Sequence, residues 1–285
     1  MATTEQQSAP KASSLRDLGP RLVSGLVLAL AALALTWFSL ATFALLVLAV
    51  ALIVAWEWGR MVRGPTRDAL FYVHIASTAA ALVLTYLQQP LLAVLIVAAA
   101  SGLVLVVEPG DGAREFALGV LYSGAPAVAL VWLRASEPYG LQVVMFILLV
   151  IWATDTGAYA AGRTIGGPRL MPRVSPNKTW SGLAGGVGSA VLVALIFELS
   201  VRGTASVRLP VTAALLAVVS QAGDLLESAL KRRHAVKDAS ELIPGHGGFM
   251  DRVDGLIFAA VTAALYSAAA GPGSPAGTLL GWYLP

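Results

Sequence analysis

The sequence predicts an all-α, polytopic integral membrane protein with about nine transmembrane helices and a cytoplasmic N-terminus, and three observations carry that expectation. Hydrophobic residues make up 57% of the 285 and charged residues only 12%, against about 45–50% and about 25% in soluble domains. The charges are also segregated. Residues 22–56, 69–107 and 255–285 are runs of 35, 39 and 31 residues without a formal charge, where a membrane-crossing helix needs about 20 apolar residues. Third, once these runs are divided into spans, Lys and Arg fall mostly on alternate connections. The first two observations exclude a soluble enzyme. The absence of Cys removes disulfide frameworks and thiolate metal sites, and a net charge of +3 gives no argument for nucleic acid as a partner.

Residues 1–20 are polar and rich in Ser, Thr and Gln, and read as a flexible cytoplasmic tail with no core to bury. The apolar run that begins at Leu22 goes on too long for a cleavable signal, whose apolar region is about 7–15 residues. Dividing the runs by bilayer thickness gives spans at 22–36, 38–56, 69–87, 90–107, 116–133, 140–161, 181–199, 210–230 and 255–271. A single helix over 22–56 would be about 52 Å long at about 1.5 Å per residue, too long for a core of about 30 Å, so a turn is placed near 37–39. Nine spans with the N-terminus inside put 16 of the 19 Lys and Arg on the cytoplasmic side and leave Arg134, Arg202 and Arg208 outside. Merging 22–56 into one span gives 13 against 6, so the positive-inside rule favours nine.

The organisation expected is the tail at 1–20, an N-terminal group of helices at 21–134, and a C-terminal region at 135–285 that holds the long polar connections 162–180 and 231–254, both cytoplasmic. Gly182, Gly185, Gly186 and Gly188 read as close helix packing. Trp56, Trp58, Trp132 and Trp180, at span ends, read as interfacial anchors. The compact length and the lack of an organelle-targeting leader suggest a bacterial inner membrane.

Acids inside apolar helices cost about 2.5–3.5 kcal/mol each on insertion scales, which makes them functional candidates. Asp155 lies near the end of the sixth span, and Asp224 and Glu227 near the end of the eighth. Asp224, Glu227, Ser228 and Lys231 follow at i, i+3, i+4 and i+7 and so share one helix face. Read alone, that stripe also fits a helix end whose acids pair with Lys231 or Arg232 and do nothing else.

The following segment gathers Lys231, Arg232, Lys237, Asp238, His246, Asp251, Arg252 and Asp254 into 24 residues, interrupted by Pro244–Gly245 and Gly247–Gly248. Lys and Arg suit phosphate oxygens, glycines let backbone N–H groups approach an anion, and Asp suits a hard cation such as Mg²⁺. A lone His246 makes a poor zinc site. In the other connection, Ser175, Lys178 and Thr179 resemble a helix-opening phosphate cradle, without the full G-x-x-x-x-G-K-[ST] pattern. The same residues fit a basic loop held against anionic head groups.

These residues resemble the membrane phosphatidate cytidylyltransferases, or CDP-diacylglycerol synthases. That family's signature runs S-x-[apolar]-K-R, four residues, K-D, then a short spacer to [PG]-x-H-G-G-[apolar]-x-D-R-[apolar]-D. Ser228, Lys231–Arg232, Lys237–Asp238, Pro244, His246–Gly247–Gly248, Asp251–Arg252 and Asp254 fill it over 27 residues. The likeness extends upstream to Gly223–Asp224, to Asp155 with Thr156 and Tyr159, and to Ser175–Pro176 with Lys178–Thr179. Two departures are Ser181, where many members have Glu, and Gly255, where many have Ser.

The resemblance implies transfer of CMP from CTP to phosphatidate, giving CDP-diacylglycerol and pyrophosphate in phospholipid biosynthesis. It implies Mg²⁺, with Mn²⁺ as the alternative, on Asp224, Asp251 and Asp254. Lys231, Arg232 and Lys237 would hold phosphates, Ser175, Lys178 and Thr179 would form a second phosphate-contacting wall, and His246, Gly247 and Gly248 would shape the loop around nucleotide. Asp155, Ser228 and Arg252 join the expected substrate-binding set, and a homodimer is the expected assembly. Two competing readings are a secondary transporter for an anionic metabolite and a lipid-directed phosphotransferase such as a polyprenol kinase.

Overall fold

The computed structural model describes residues 15–108, 110–204, 206–242, 247–270 and 273–282. Ten helices and one short hairpin follow in order: α1 (Leu15–Phe38), α2 (Leu40–Arg63), α3 (Ala69–Tyr86), α4 (Pro90–Val107), α5 (Asp111–Arg134), α6 (Gly140–Thr164), β1 (Arg169–Met171), β2 (Ser175–Thr179), α7 (Trp180–Arg202), α8 (Arg208–Arg233), α9 (Met250–Ala269) and α10 (Pro275–Leu280). Among the described residues eight helices, α2 to α9, are long and apolar enough to cross a membrane, and α1 adds the shorter apolar stretch Gly25–Phe38. The chain is therefore an all-α polytopic membrane protein, with spans where hydropathy puts them.

The turn expected near 37–39 falls at Ser39, and its chemistry explains the division. Ser39 is extended and its hydroxyl accepts from Thr42 N–H at 3.1 Å, while Thr42 Oγ1 accepts from Ser39 N–H at 3.1 Å. This reciprocal cap satisfies donors that the start of α2 would otherwise leave unpaired. At the same end of the bundle the Arg134 guanidinium donates twice to the Thr36 carbonyl at 3.2 Å, fixing the end of α1 against that of α5.

At the opposite end, Arg63 pairs with Asp68 at 2.6 Å and Glu108 at 2.9 Å, and Glu115 pairs with Arg233 and His234 at 2.8 Å each. The α2–α3 and α4–α5 connections and the end of α8 thus gather on one side, as alternate connections of a serpentine chain must. Asp68 caps α3 through Phe71 N–H. Burial pushes its carboxyl up, but that bond and the Arg63 guanidinium hold it below its usual range.

Helix α5 is the central span, 78% buried over its apolar window against 28% for α4 and α7. α6 packs beside it through Val143, Val144, Phe146, Ile147 and Val150. The closest approach is between α6 and α7, where a Cβ on Gly157 would lie 2.1 Å from Ser189 Oγ and one on Gly185 2.2 Å from Ala161 Cβ. In lipid, where burial from water adds no drive between helices, such small-residue contact holds a helix pair. Gly182, Gly185 and Gly186 therefore pack within the chain, as read from the sequence, while Gly188 faces open space.

Two expectations change. Trp58 is no interfacial anchor: it is 1% exposed, donates from its indole to the Glu115 carbonyl at 2.9 Å, and fits a slot left by Gly119. The connection expected at 231–254 is shorter, because α8 continues to Arg233 and α9 begins at Met250. Asp251, Arg252 and Asp254 consequently ride on the first turns of a helix, whose geometry fixes their spacing.

Candidate active site

The stripe on α8 faces α9. Glu227 is fully buried, and Lys231 Nζ lies 3.1 Å from Glu227 Oε1 and 2.5 Å from Asp251 Oδ1, so one ammonium joins the two helices. Asp224 accepts from Ser228 Oγ at 3.3 Å, one turn on. Two glycines allow the helices this close. A Cβ on Gly223 would lie 2.5 Å from the Phe258 ring, and one on Gly255 3.2 Å from Ser220 Cβ. The Gly255 departure thus belongs to the seam between α8 and α9.

Asp251 is held from several directions. Its Oδ1 takes Lys231, and its Oδ2 accepts from Gly248 N–H at 2.9 Å and Ala239 N–H at 3.0 Å. Gly247 sits at φ +78°, a left-handed turn that favours glycine, which brings the chain back under the carboxylate. One turn further along α9, Asp254 Oδ1 accepts from Gly255 N–H at 2.7 Å, and its carboxylate is within electrostatic reach of Asp224 and Glu227.

The connection between α6 and α7 folds into an antiparallel hairpin of β1 and β2, which the sequence did not reveal. It delivers Lys178 to the α8 stripe, with Nζ 2.5 Å from Asp224 Oδ2 and 3.3 Å from the Gln221 carbonyl. Gln221 in turn offers its side-chain amide to Asp155 Oδ1 at 3.5 Å. Asp155 on α6, Lys178 on the hairpin and Asp224 on α8 therefore meet, from positions far apart in sequence. Thr179 caps α7, accepting from Gly182 N–H at 3.0 Å. Ser181, the other departure, lies 2.9 Å from the Thr179 hydroxyl and donates to the Gly166 carbonyl, so it ties down the base of the hairpin.

Beside these polar groups a cavity of about 360 Å³ runs between α1, α2, α5, α6 and α9. Phe43, Val47, Val54, Leu130 and Leu148 are among its apolar walls, and Asp155, Phe249 and Arg252 also line it. From Phe43 to Val54 along α2 the wall covers about 16 Å at about 1.5 Å per residue, roughly half of a hydrocarbon core. An apolar slot with charge at one end suits an amphiphile.

Of the expected site residues, Asp155, Lys178, Asp224, Ser228, Lys231, Gly247, Gly248, Asp251 and Asp254 come together, with Arg252 on the cavity wall. Ser175 lies at the turn end of β2, paired in register with Met171, while Thr179 serves as a helix cap. Arg232 and Lys237 are exposed on the surface. His246 lies outside the described residues. Sequence reasoning gave Glu227 no role beyond the stripe and missed Glu57 and Gln221. Glu57 carried a signal: it is an acid that closes an uncharged run of 35 residues.

The donor set tests the expected cation. Among the described residues no three His, Asp or Glu side chains converge into a closed cage. Mg²⁺ does not need one, since it binds through one or two carboxylates plus phosphate oxygens and water. The hard oxygens of Asp224 and Asp251, each beside a lysine, fit it.

Comparison with known proteins narrows the chemistry. A model of the cytidylyltransferase family matches residues 20–270. The phosphatidate cytidylyltransferase of Brucella suis biovar 1 is 38% identical over 259 residues, covering 89% of this chain and 94% of the relative, and that of Brucella melitensis biotype 1 matches to the same extent. The phosphatidate cytidylyltransferase of Bacillus subtilis is 41% identical over 142 residues, covering 50% of this chain and 53% of the relative.

Proposed function

We propose that this chain, which belongs to the cytidylyltransferase family, is a phosphatidate cytidylyltransferase that transfers CMP from CTP to phosphatidate and releases pyrophosphate. The observation that carries the reading is the presence of two lysine–aspartate pairs along one face of α8, Lys178 with Asp224 and Lys231 with Asp251, beside an apolar cavity that Asp155 and Arg252 line. An enzyme joining a triphosphate to a lipid phosphate needs such a place, where anions are held beside a slot for acyl chains.

In the reaction a phosphate oxygen of phosphatidate attacks the α-phosphorus of CTP, forming a new P–O bond as the bond to the β-phosphate oxygen breaks. Both reactants are anions, so alignment and charge neutralisation supply most of the catalysis. Lys178 and Lys231 would hold phosphate oxygens by exchanging their aspartate partners for substrate, and Arg252 and the more exposed Arg232 and Lys237 would add positive charge. Mg²⁺ held by Asp224 and Asp251, with Asp254 next to them, would offset the charge that develops on pyrophosphate. No side chain is required as a base: the second pKa of a phosphate monoester is about 6, so the nucleophile is largely ionised at neutral pH. The cavity would take an acyl chain from surrounding lipid, where burial from water adds no drive, so it would hold the chain by fit.

In this reading the protein lies in the inner (plasma) membrane with the site on the cytoplasmic side, open to cytosolic CTP, supported by the 16-to-3 distribution of basic residues. A homodimer would have to form on a face other than Gly182, Gly185 and Gly186, which α6 covers. The test is detergent-purified protein given phosphatidate, α-labelled CTP and Mg²⁺, with and without chelator. Chelator-sensitive label in CDP-diacylglycerol is the expected result. Folded protein that binds CTP yet labels no lipid would overturn the reading and turn attention to polyprenol acceptors.

A further inference from the structure

We propose that Glu57, on α2 and far from the signature in sequence, is a positioning residue: its carboxylate ties the start of α9 to the middle of the loop that precedes it, and so sets Asp251 for metal binding. Glu57 is fully buried. Its Oε1 accepts from Phe249 N–H at 3.0 Å and from the Ser240 hydroxyl, and its Oε2 accepts from Met250 N–H at 2.7 Å. α9 has no side-chain cap of its own at Phe249, so a neighbouring helix supplies one. An anion there also meets the positive end of the helix dipole.

The fit is close on a second side. A Cβ on Gly248 would lie 2.6 Å from Glu57 Oε1, so the glycine of the signature gives the carboxylate its space. The loop between α8 and α9 passes this point twice, at Ala239 and Ser240 midway along it and again at Gly248 and Phe249 as it enters α9 at Met250. Asp251 holds Ala239 N–H and Gly248 N–H, while Glu57 holds Ser240, Phe249 and Met250. The middle of the loop and its return into α9 thus stand on the same two carboxylates. Removing Glu57 frees the first turn of α9, and Asp251, one residue in, loses the fixed backbone to which its Oδ2 is bonded.

This rests on Asp251 being a metal ligand, and the test keeps the two ideas apart. Full-length protein in detergent, wild type and Glu57→Gln, is titrated with Mn²⁺ in the presence of CTP and no phosphatidate, and bound ion is read by electron paramagnetic resonance. In parallel the Mg²⁺ dependence of turnover is measured at saturating substrates. Gln keeps one acceptor oxygen and puts an amide where the second was, so one backbone donor of α9 loses its partner. Mn²⁺ affinity is expected to fall about tenfold and the Mg²⁺ half-saturation to rise in step, with the KM for phosphatidate unchanged; Glu57→Asp should recover part of the loss. Ser240→Ala, which removes one of the three bonds, should shift both readings two- to threefold and serves if the Gln protein does not fold. Unchanged Mn²⁺ affinity in both variants, whatever their melting temperatures, overturns the proposal if Asp251→Asn does lose Mn²⁺. If wild type binds no Mn²⁺, or Asp251→Asn binds it normally, the metal assignment itself falls, and this inference with it.

Discussion

Lys178→Met separates a phosphate-holding residue from a basic loop lying on lipid. Methionine keeps most of the stem and removes the ammonium, which lies 2.5 Å from Asp224 and 3.3 Å from the Gln221 carbonyl. In the resting protein the loss should be small. The Asp224 side chain is 35% exposed and keeps the Ser228 hydroxyl, and a solvent-accessible ion pair contributes about 0–1 kcal/mol. With substrate bound, the loss is a hydrogen bond from a charged group to phosphate, worth about 1.5–3 kcal/mol. At about 1.4 kcal/mol per decade that is roughly a 10- to 150-fold fall in kcat/KM. The assay varies CTP at saturating phosphatidate, then the mole fraction of phosphatidate in mixed micelles at saturating CTP, with a thermal melt of the same preparation. A fall carried by the KM of one anionic substrate, with an unchanged melt, is expected. Unchanged kcat and KM for both substrates would refute the reasoning and return the hairpin to the lipid surface. An activity loss that only follows a lowered melting temperature would make Lys178 structural.

Asp251→Asn should abolish turnover in a protein that still folds, since the Asn oxygen can stand where Oδ2 accepts from both Gly248 and Ala239 N–H and Lys231 keeps Glu227; near-wild-type activity of the purified variant would remove the metal assignment. Gly119→Ala should lower the melting temperature by the equivalent of about 1–3 kcal/mol, because the new Cβ would lie 2.1 Å from Trp58 Cδ1; a melt equal to wild type would mean that Trp58 has room to move. Leu130→Trp, which fills part of the cavity, should raise the KM for long-chain phosphatidate and leave that for CTP alone, and equal effects on both would show that acyl chains lie elsewhere.

The spans were legible because a bilayer sets their length and the basic residues chose between one span and two over 22–56, while the Ser39–Thr42 cap that makes the turn came from the structure. The α8 stripe was legible from helical spacing, which holds whatever the neighbours are. What the stripe meets was not. Lys231 reaches Asp251 on another helix, and Glu57 reaches Met250 across 193 residues of sequence. An apolar helix reads alike whichever partner it packs against, so Trp58 passed for an interfacial residue and Gln221 drew no reading. The hairpin was hidden for another reason: strands of three and five residues are too short for alternation to stand out.

The two lysine–aspartate pairs also carry a consequence for how ligands enter. A buried charge without a partner is costly, the more so at Lys231, held by Asp251 and the fully buried Glu227, than at Lys178, whose partner Asp224 is partly open to solvent. A cation that takes the aspartates alone strands the Lys178 ammonium and leaves Lys231 only Glu227, and a triphosphate that takes the lysines alone strands Asp224, Glu227 and Asp251. Both together give each aspartate and each lysine of the two pairs a new partner. On the assignment proposed above, divalent cation and CTP should therefore bind with positive coupling, of the order of 1–3 kcal/mol or about 5- to 150-fold in affinity. Part of any coupling is Mg²⁺ carried in on the nucleotide, so the measurement must compare proteins rather than ligands. The affinity for CTP is measured by calorimetry with and without Mg²⁺ in wild type and in a Lys178→Met, Lys231→Met double variant. Coupling that falls in the variant is the expected outcome. Coupling equal in the two proteins would mean that the pairs stay closed during binding, and that the lysines orient the aspartates rather than the phosphates.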